Sequence, residues 1–329
     1  MNRESRYALL VVIVGACVLH AQSVGRITKH PLGQPWVTKA ENGLIISWLN
    51  SRVDVVERGE TDDPEAGRVD VFDERGGSIA SFNVLRLVEG ARGVSIYDAS
   101  SRPGGIIAVG AVYASKDRGI PPAASLLVFD SSGRLLSAYA LADARIVKKL
   151  AVDKDSNIWT LTDNFRDTEP STAPMVVEYA PDGKEVRELL PRSVLWSHGT
   201  PKEGLYLGRV TMGCGNGVAW IWLPGTTELV TISTSDGTVS VVQTGLPRRE
   251  KHKEDPLDVV REPAGDAVGA FREDGEDGKS EIAYYAWSPS TRAWSRFQPG
   301  ACDGDRLLSV SDSGQIYHDR QGNICLFRR

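Results

Sequence analysis

The stretch that most constrains the fold of this chain runs from Ile146 to Leu190, where four strands follow one another with little ambiguity. Val147–Val152 alternates in polarity and leads into a polar turn, and Ile158–Leu161 follows as a second strand. Met175–Tyr179 and Glu185–Leu189 then flank a Pro-Asp-Gly turn. Two hairpins in tandem predict one four-stranded antiparallel sheet of about 45 residues.

The same unit recurs along the chain. Val71-Phe72-Asp73 and Val128-Phe129-Asp130 are the same phrase, and in each a glycine follows the aspartate by three residues. Aspartate at the first turn position accepts hydrogen bonds from the backbone two residues on, and glycine supplies the positive φ that closes the hairpin. We therefore interpret these aspartates as turn formers and expect positive φ at Gly133 and Gly237.

Tandem sheets of this size predict an all-β ring, the β-propeller. The 33 glycines and 17 prolines fall at turns between short strands and form no low-complexity runs. We place the beginnings of five blades near Leu44, Ile106, Val147, Val194 and Val259. The final stretch, 307–327, offers three strands and no fourth.

Two motifs carry a resemblance to a known group of propellers. Asp153–Trp159 and Asp319–Cys325 both resemble the Asp-x-x-Gly-Asn-Ile-Trp phrase of six-bladed propellers of the NHL and related families. Ser156 stands where that phrase has glycine, and Cys325 where it has tryptophan. The resemblance implies a propeller of six four-stranded antiparallel blades.

Strand counting predicts how the ring closes. Because the last repeat supplies only three strands, we expect part of Arg26–Lys39 to add as its outermost strand, which removes an exposed sheet edge. Large aromatic residues should fill the wedges between adjacent blades. The residues predicted for these positions are Phe72, Phe129, Trp159, Tyr179 and Trp222.

Residues 1–21 have the layout of an export signal, with Arg3 and Arg6, an apolar run from Tyr7 to Leu19, and a small residue at Ala21. The run of 13 residues is shorter than the ~20 that span a bilayer as a helix. Residues 22–329 are then a single propeller domain, located outside the cytoplasm in the periplasm, in the cell envelope or as a secreted protein.

Two features of the cysteines stay open. Val14–Cys17 resembles the lipobox of bacterial lipoproteins, in which Cys17 would be lipidated, although the apolar residues beyond it favour cleavage after Ala21. The mature chain keeps Cys214, Cys302 and Cys325. Cys302 and Cys325 are candidates for a disulfide, and buried free thiols are the alternative.

The formal net charge of −5 argues against nucleic acid and anionic membrane surfaces as partners, so a membrane contact would depend on the lipid anchor. The chain contains no common metal-binding, nucleophile or phosphate-loop motif. Candidate ligand contacts are Trp196 and His198, next to a turn, and Asp303 and Asp305, just before a predicted inner strand. They favour a non-enzymatic binding module without cofactor, whose ligand is a small molecule, a glycan or a protein at the funnel face.

The alternative is a metal-dependent hydrolase. Six-bladed propellers with lactonase or gluconolactonase activity hold a divalent ion through a glutamate near the first blade plus later Asn and Asp residues. Resemblance to them implies Glu41, Asn157 and Asp303 as ligands of Ca²⁺ or Zn²⁺, although Glu41-Asn42-Gly43 departs from the family's Glu-Gly-Pro phrase.

Overall fold

A computed structural model describes the larger part of the chain beyond its first 36 residues. The described residues are 37–41, 43–51, 65–73, 75–115, 123–141, 145–164, 174–191, 210–223, 227–245, 255–261, 267–274, 280–297, 306–310, 315–320 and 323–328. Their regular secondary structure is all strand, apart from a short 3₁₀ turn at Leu85–Leu87. No helix in this part of the chain is long and apolar enough to cross a membrane.

The strands are assigned to sheets in chain order. The first sheet holds β1 Val37–Glu41, β2 Leu44–Trp48, β3 Arg68–Asp73 and β4 Ser78–Asn83. The second holds β5 Ala91–Ser101, β6 Ile107–Ser115, β7 Ala123–Phe129 and β8 Leu135–Ala140. The third holds β9 Arg145–Val152, β10 Ile158–Asn164, β11 Pro174–Tyr179 and β12 Glu185–Pro191.

The later sheets repeat the same order. The fourth holds β13 Thr211–Gly215, β14 Val218–Leu223, β15 Glu228–Ser233 and β16 Val239–Gln243. The fifth holds β17 Asp255–Arg261, β18 Ala267–Asp274, β19 Ser280–Ser288 and β20 Ala293–Phe297. The last sheet holds β21 Arg306–Val310, β22 Gln315–Arg320 and β23 Asn323–Arg328.

The sheets form a ring through their first strands. β1 contacts β5, β5 contacts β9, β9 contacts β13, β13 contacts β17, β17 contacts β21, and β21 contacts β1 again. Within each sheet the neighbouring strands are antiparallel and consecutive in the chain. This is the arrangement of a β-propeller, and the prediction of an all-β propeller with antiparallel blades is confirmed.

Two finer predictions are wrong. The described chain contains five four-stranded blades instead of six, because its last sheet has three strands. The predicted closing strand also fails for Val37–Lys39, which pairs with β2 in the first blade, Val37 opposite Trp48 and Lys39 opposite Ile46. The remainder of that segment lies outside the described residues.

The innermost strands were the hardest to predict. β2 was taken as the first strand of its blade, and the apolar stretch now seen as the single strand β6 was divided in two, with β5 missed. In the fourth blade the first strand is β13, not a strand near Val194. β1, β5 and β13 carry many small or polar residues, so their apolar alternation is weak.

The predicted turn chemistry is confirmed. Asp130 Oδ1 accepts the backbone N–H of Ser132 and of Arg134, both at 3.0 Å. Gly133 has φ 85° and Gly237 has φ 76°. The same carboxylate bonds recur in four other hairpins, at Asp73, Asp153, Asp182 and Asp236.

The Asp153–Trp159 motif gains a physical explanation from these bonds. Asp153 Oδ1 accepts the N–H of Asn157 at 2.9 Å, and Asp153 Oδ2 accepts Trp159 Nε1 at 3.0 Å. One carboxylate therefore shapes the turn and orients the buried indole. Ser156 lies in the left-handed region at φ 66°, which is why glycine suits this position in the propellers that the motif resembles.

The core lies between adjacent blades, as predicted. Trp159 is fully buried and packs in one cluster with Met212 and Ile221 of the next blade. Trp222 packs with Phe271 of the fifth blade. Phe129 and Tyr179 are buried in similar clusters shared by neighbouring blades, whereas Phe72 is only half-buried, which departs from the prediction.

The outer rim has a repeated contact of its own. The turn between the third and fourth strands of a blade touches the fourth strand of the preceding blade. A Cβ added to Gly133 would lie 2.7 Å from Phe82 Cδ1, and one added to Gly183 would overlap the ring of Tyr139. Arg187 Nη2 similarly donates to Thr234 O at 2.6 Å. We call these the rim contacts.

Candidate functional site

A group of charged and hydroxyl side chains lies where the first strands of three successive blades meet. Lys39 and Glu41 alternate on one face of β1, and Asp98 and Ser100 alternate on one face of β5. A β-bulge between Ile96 and Asp98 determines on which face of β5 the side chains of Asp98 and Ser100 lie. We call these four residues the axial cluster.

Lys39 is the centre of the axial cluster. Its Nζ donates to Leu150 O at 2.6 Å and to Asp98 Oδ2 at 3.1 Å, and it lies 3.7 Å from Glu41 Oε2. Burial by itself lowers the pKa of Lys39, but the charges of Asp98 and Glu41 outweigh it and leave the pKa above its usual value. Lys39 is therefore an ammonium ion at neutral pH, surrounded by three oxygens.

Glu41 is held from two sides. Its Oε1 accepts hydrogen bonds from Ser100 Oγ and from the N–H of Ser101, the latter at 2.6 Å. Its Oε2 faces Lys39. Burial raises the pKa of Glu41, and the opposing effects of Lys39 and of the two hydrogen bonds do not fully cancel this.

The cluster also satisfies backbone groups on the free edge of β9. Asp98 Oδ2 accepts the N–H of Leu150 at 2.8 Å, and Ser100 Oγ accepts the N–H of Val152 at 2.9 Å. First strands of different blades do not pair with one another, so buried N–H groups on their inner edges need side-chain acceptors. The axial cluster therefore joins three blades and supplies hydrogen-bond acceptors for backbone N–H groups of β9.

Cys214 lies on β13, half-buried, beside this region. Burial raises the pKa of its thiol well above the usual value, and the negative charges of Asp153 and Glu41 raise it further. Because the thiolate is the reactive form of cysteine, Cys214 is a poor nucleophile at neutral pH.

Of the three ligands considered for a metal, two can be placed. Glu41 belongs to the axial cluster, where Lys39 is its cation. Asn157 is a turn residue whose Nδ2 donates to Asp153 Oδ2 at 3.2 Å. Among the described side chains no group of three or more His, Cys, Asp or Glu residues could hold a metal ion. Asp303 lies outside the described residues.

The other candidate residues remain predictions. Trp196, His198, Asp305, Cys302 and Cys17 lie outside the described residues, together with the export signal. Cys325 is placed on β23, with its backbone opposite His318, and its side chain is outside the described part.

The sequence reasoning missed Lys39, Asp98 and Ser100. A usable signal existed, because Lys39 and Glu41 alternate in a short polar stretch just before an apolar strand. Asp98 and Ser100 show the same spacing within β5. Two alternating polar pairs on successive first strands indicate strands whose inward face is polar.

No family model matches the chain, and no curated protein matches it either. Solved structures do resemble it. The "Putative exported protein" of Bacteroides fragilis aligns with a TM-score of 0.51 at 9% identity, covering 93% of this chain and 94% of that one. This likeness shows a shared fold over nearly the whole length and nothing about activity.

Two further structures are less similar. A protein of unknown function from Bacteroides caccae has a TM-score of 0.43 at 12% identity, covering 76% of this chain and 78% of its own. The major allergen Mala s 1 of Malassezia sympodialis has a TM-score of 0.48 at 12% identity, covering 88% and 91%.

Proposed function

We propose that the protein is an exported β-propeller that acts as a binding module of the cell envelope and carries out no catalysis. The observation that carries this proposal is the closed bonding of the axial cluster. Lys39 bonds Asp98 and a main-chain carbonyl, and Glu41 bonds Ser100 and Ser101. The charged groups at the centre of the ring are engaged with one another, which is typical of a structural network.

A raised carboxyl pKa such as that of Glu41 is common at catalytic sites. A general base, however, must direct a lone pair at the proton it removes. The oxygens of Glu41 instead face donors of the same chain, and the neighbouring thiol of Cys214 is protonated. The cluster therefore favours a binding function over acid–base or thiol chemistry.

The same geometry disfavours metal-dependent hydrolysis at this position. A divalent ion between Glu41 and Asp98 would meet the Lys39 ammonium, which already neutralises these carboxylates at 3.7 Å and 3.1 Å. Like charges at such distances repel strongly in a buried site. These distances support a structural ion pair at this position in preference to a metal site.

We place the ligand on the ring face where the first strands begin. Trp196 and His198 belong to the connection between β12 and β13, and Asp303 and Asp305 to the connection between β20 and β21. Each connection leads into the start of a first strand. In this proposal these four side chains converge on one mouth of the ring and contact a small ligand, a glycan or a protein.

Metal analysis tests the proposal against its alternative. The mature protein is purified, its metal content is measured, and Ca²⁺ and Zn²⁺ are titrated by calorimetry. We expect no tightly held ion. One ion per chain that is lost in Glu41→Gln, together with hydrolysis of a lactone that the same variant abolishes, would overturn the binding proposal.

A ligand screen tests the proposed mouth. Thermal shifts are recorded with a panel of soluble oligosaccharides for the wild type, the double variant Trp196→Ala/His198→Ala, and Lys154→Ala as a control in an exposed turn. A compound that stabilises the wild type and the control, and not the double variant, supports the proposed contacts. Equal shifts in all three proteins contradict them.

A further inference from the structure

Two neighbouring first strands, β5 and β9, each contain an extra residue. In β5 the pairing with β6 skips Tyr97, because Ile96 and Asp98 lie opposite consecutive residues of β6. In β9 the pairing with β10 skips Lys148 in the same way. β-bulges change the direction of a side chain and are over-represented next to active sites. The side chains of Tyr97 and Lys148 therefore depart from the regular alternation of their strands.

The two bulges lie at the same level of the ring. Asp98 Oδ2 accepts the N–H of Leu150 at 2.8 Å, which places β5 beside β9 at that point. Tyr97 comes one residue before Asp98, and Lys148 comes two residues before Leu150. The two extra side chains consequently meet, and Lys148 Nζ lies 4.5 Å from the centre of the Tyr97 ring. A cation is attracted to an aromatic face at this distance.

The pair lies at the end of the ring where the first strands begin. Tyr97 packs against an apolar cluster that includes Ala124 and Ile146. Ala124 is the second residue of β7 and Ile146 the second residue of β9, and both strands run in the same direction as β5. Tyr97 and Lys148 are both half-buried. They are therefore at the ring face on which we place the ligand.

Lys148 is bonded very differently from Lys39. The ammonium of Lys39 is surrounded by oxygens of Leu150, Asp98 and Glu41. In the described part of the chain, Lys148 Nζ has neither a hydrogen bond nor an ion pair, and its contact is the ring of Tyr97.

The surroundings of Lys148 weaken its charged form. Burial lowers the pKa of Lys148, and the negative charge of Asp163 does not fully offset this effect. An anion bound beside the amine would favour the ammonium form and remove part of this penalty. The closed bonding of Lys39 is typical of a structural residue, whereas Lys148 keeps its hydrogen-bond donors available to a ligand.

The hydroxyl of Tyr97 is a second available donor. It has no hydrogen bond to any described residue. Burial raises the pKa of Tyr97, and the charge of Asp163 raises it further. The hydroxyl therefore keeps its proton at neutral pH. A lysine amine and a phenol on adjacent strands can both donate to one anionic group, and such charge-assisted bonds are the strong ones.

We propose that Tyr97 and Lys148 hold a carboxylate of the ligand, so that the binding module takes small acidic molecules. This inference rests on the proposed function and narrows it. The negative charge of Asp163 nearby favours a singly charged carboxylate over a phosphate group with two charges.

Titration calorimetry of the mature protein tests the ligand class. Glucuronate and glucose differ in the carboxylate, and N-acetylalanine presents a carboxylate on a skeleton that is not a sugar. We expect glucuronate to bind at least about tenfold more tightly than glucose. Binding of glucuronate but not of N-acetylalanine identifies the ligand as an acidic sugar, and binding of both extends it to other carboxylates. Equal affinity for glucuronate and glucose, or binding of neither carboxylate, would overturn the proposal.

Variants test the two contacts. Lys148→Met should weaken glucuronate binding by about tenfold or more, and Tyr97→Phe by about fivefold. Lys154→Met, in an exposed turn of the same blade, should bind like the wild type. Lys148→Arg keeps the charge and should retain most of the affinity, which separates loss of the ammonium from damage to the fold. Wild-type affinity in Lys148→Met would refute the contact.

The double variant Trp196→Ala/His198→Ala separates this inference from the contacts proposed for the mouth. If Lys148→Met loses glucuronate binding and the double variant keeps it, the carboxylate site is supported and the contacts of Trp196 and His198 are wrong. If the double variant loses binding and Lys148→Met keeps it, the carboxylate site is wrong and the proposed function still stands.

Chemical labelling gives a readout on the unaltered chain. The mature protein is acetylated briefly at pH 8 with and without saturating glucuronate, and the rate at each lysine is measured by peptide mass spectrometry. We expect glucuronate to slow acetylation of Lys148 by about fivefold or more and to leave Lys154 unchanged. An unchanged rate at Lys148 would contradict the proposed site, whatever the behaviour of the variants.

Discussion

The first strands of the blades are joined to one another in two different ways. We call β1, β5 and β9 the charged half of the inner ring, and β13 and β17 the neutral half. Between β1, β5 and β9 the links are charged, because Glu41 accepts the N–H of Ser101 and Asp98 accepts the N–H of Leu150. Between β13 and β17 the link is neutral, because Thr211 Oγ1 donates to Val259 O. Both devices satisfy backbone groups on unpaired edges, but of the links described here only the charged ones contain a partner whose loss leaves a buried charge unpaired.

This difference predicts which substitutions will lower the stability of the ring most. A buried ion pair adds little over a well-packed apolar substitute, yet breaking it by removing one member is strongly destabilising. A neutral hydrogen bond contributes about 1 kcal/mol net. Substitutions of similar size should therefore have unequal effects in the two halves, and four predictions follow that comparison in order of decreasing effect.

The largest effect is expected for Lys39→Met. The substitution leaves Glu41 and Asp98 without their cation, so the free energy of unfolding should fall by about 3–5 kcal/mol. Chemical denaturation measures it. Lys154→Met, whose side chain is 66% exposed, should change stability by less than ~0.5 kcal/mol. A loss below ~1 kcal/mol for Lys39→Met would remove the distinction between the two halves.

The second effect concerns the rim contacts, which join the first four blades. Gly133→Val adds a side chain at φ 85° against Phe82, whereas Gly104→Val adds one at φ 70° with no heavy atom within 4 Å. Backbone strain alone should cost about 1 kcal/mol in Gly104→Val. Gly133→Val should cost about 2–3 kcal/mol because the clash is added. Equal melting temperatures for the two variants would show that the rim contact does not constrain the blades.

The third effect is the neutral link itself. Thr211→Val removes the hydroxyl that bonds Val259 O and keeps the shape of the side chain. The free energy of unfolding should fall by about 1 kcal/mol. Thr231→Val, on β15 of the same blade, serves as the matched control and should be close to neutral. A loss as large as that of Lys39→Met would contradict the comparison.

The smallest effect is a pH dependence confined to the charged half. The pKa of Lys39 is raised above 10.5 in the fold, so the folded state binds more protons than the unfolded state above that pH. Stability from this group is complete below 10.5 and is lost as the pH rises through the folded pKa. Denaturation between about pH 10 and pH 12 should show a steeper decline for the wild type than for Lys39→Met. Parallel curves would exclude this contribution.

Prediction from sequence succeeded where the determining contacts are close in the chain. The hairpin at Asp130–Gly133 needs only a carboxylate two to four residues from its N–H partners and a glycine with positive φ. The third blade was recognised because its strands alternate clearly and its turns are short. Trp159 could be placed in the core because its size and its position on a central strand are visible in the sequence.

Prediction failed where the partner is distant. Asp98 bonds Leu150, 52 residues away, and Lys39 bonds Asp98, 59 residues away. The alternation of Asp98 with Ser100 indicates a polar strand face, but it does not identify Leu150 or Lys39 as partners, and the polar character of β1 and β5 concealed both first strands. Glu41 was predicted only as a possible metal ligand, and this stays a prediction; its ion-pair partner Lys39, with Nζ 3.7 Å from Glu41 Oε2, could not be recognised from the sequence.

The sequence by itself determined the class of fold, the tandem hairpins and the turns, because these depend on side-chain alternation and on hydrogen bonds spanning a few residues. Only the tertiary structure decided which strands line the centre and that Lys39 neutralises Glu41 and Asp98 there. The physical reason is that the N–H groups on the inner edge of a first strand lose water only when blades from distant parts of the chain form the ring. Only then can a side chain of the preceding blade accept hydrogen bonds from them.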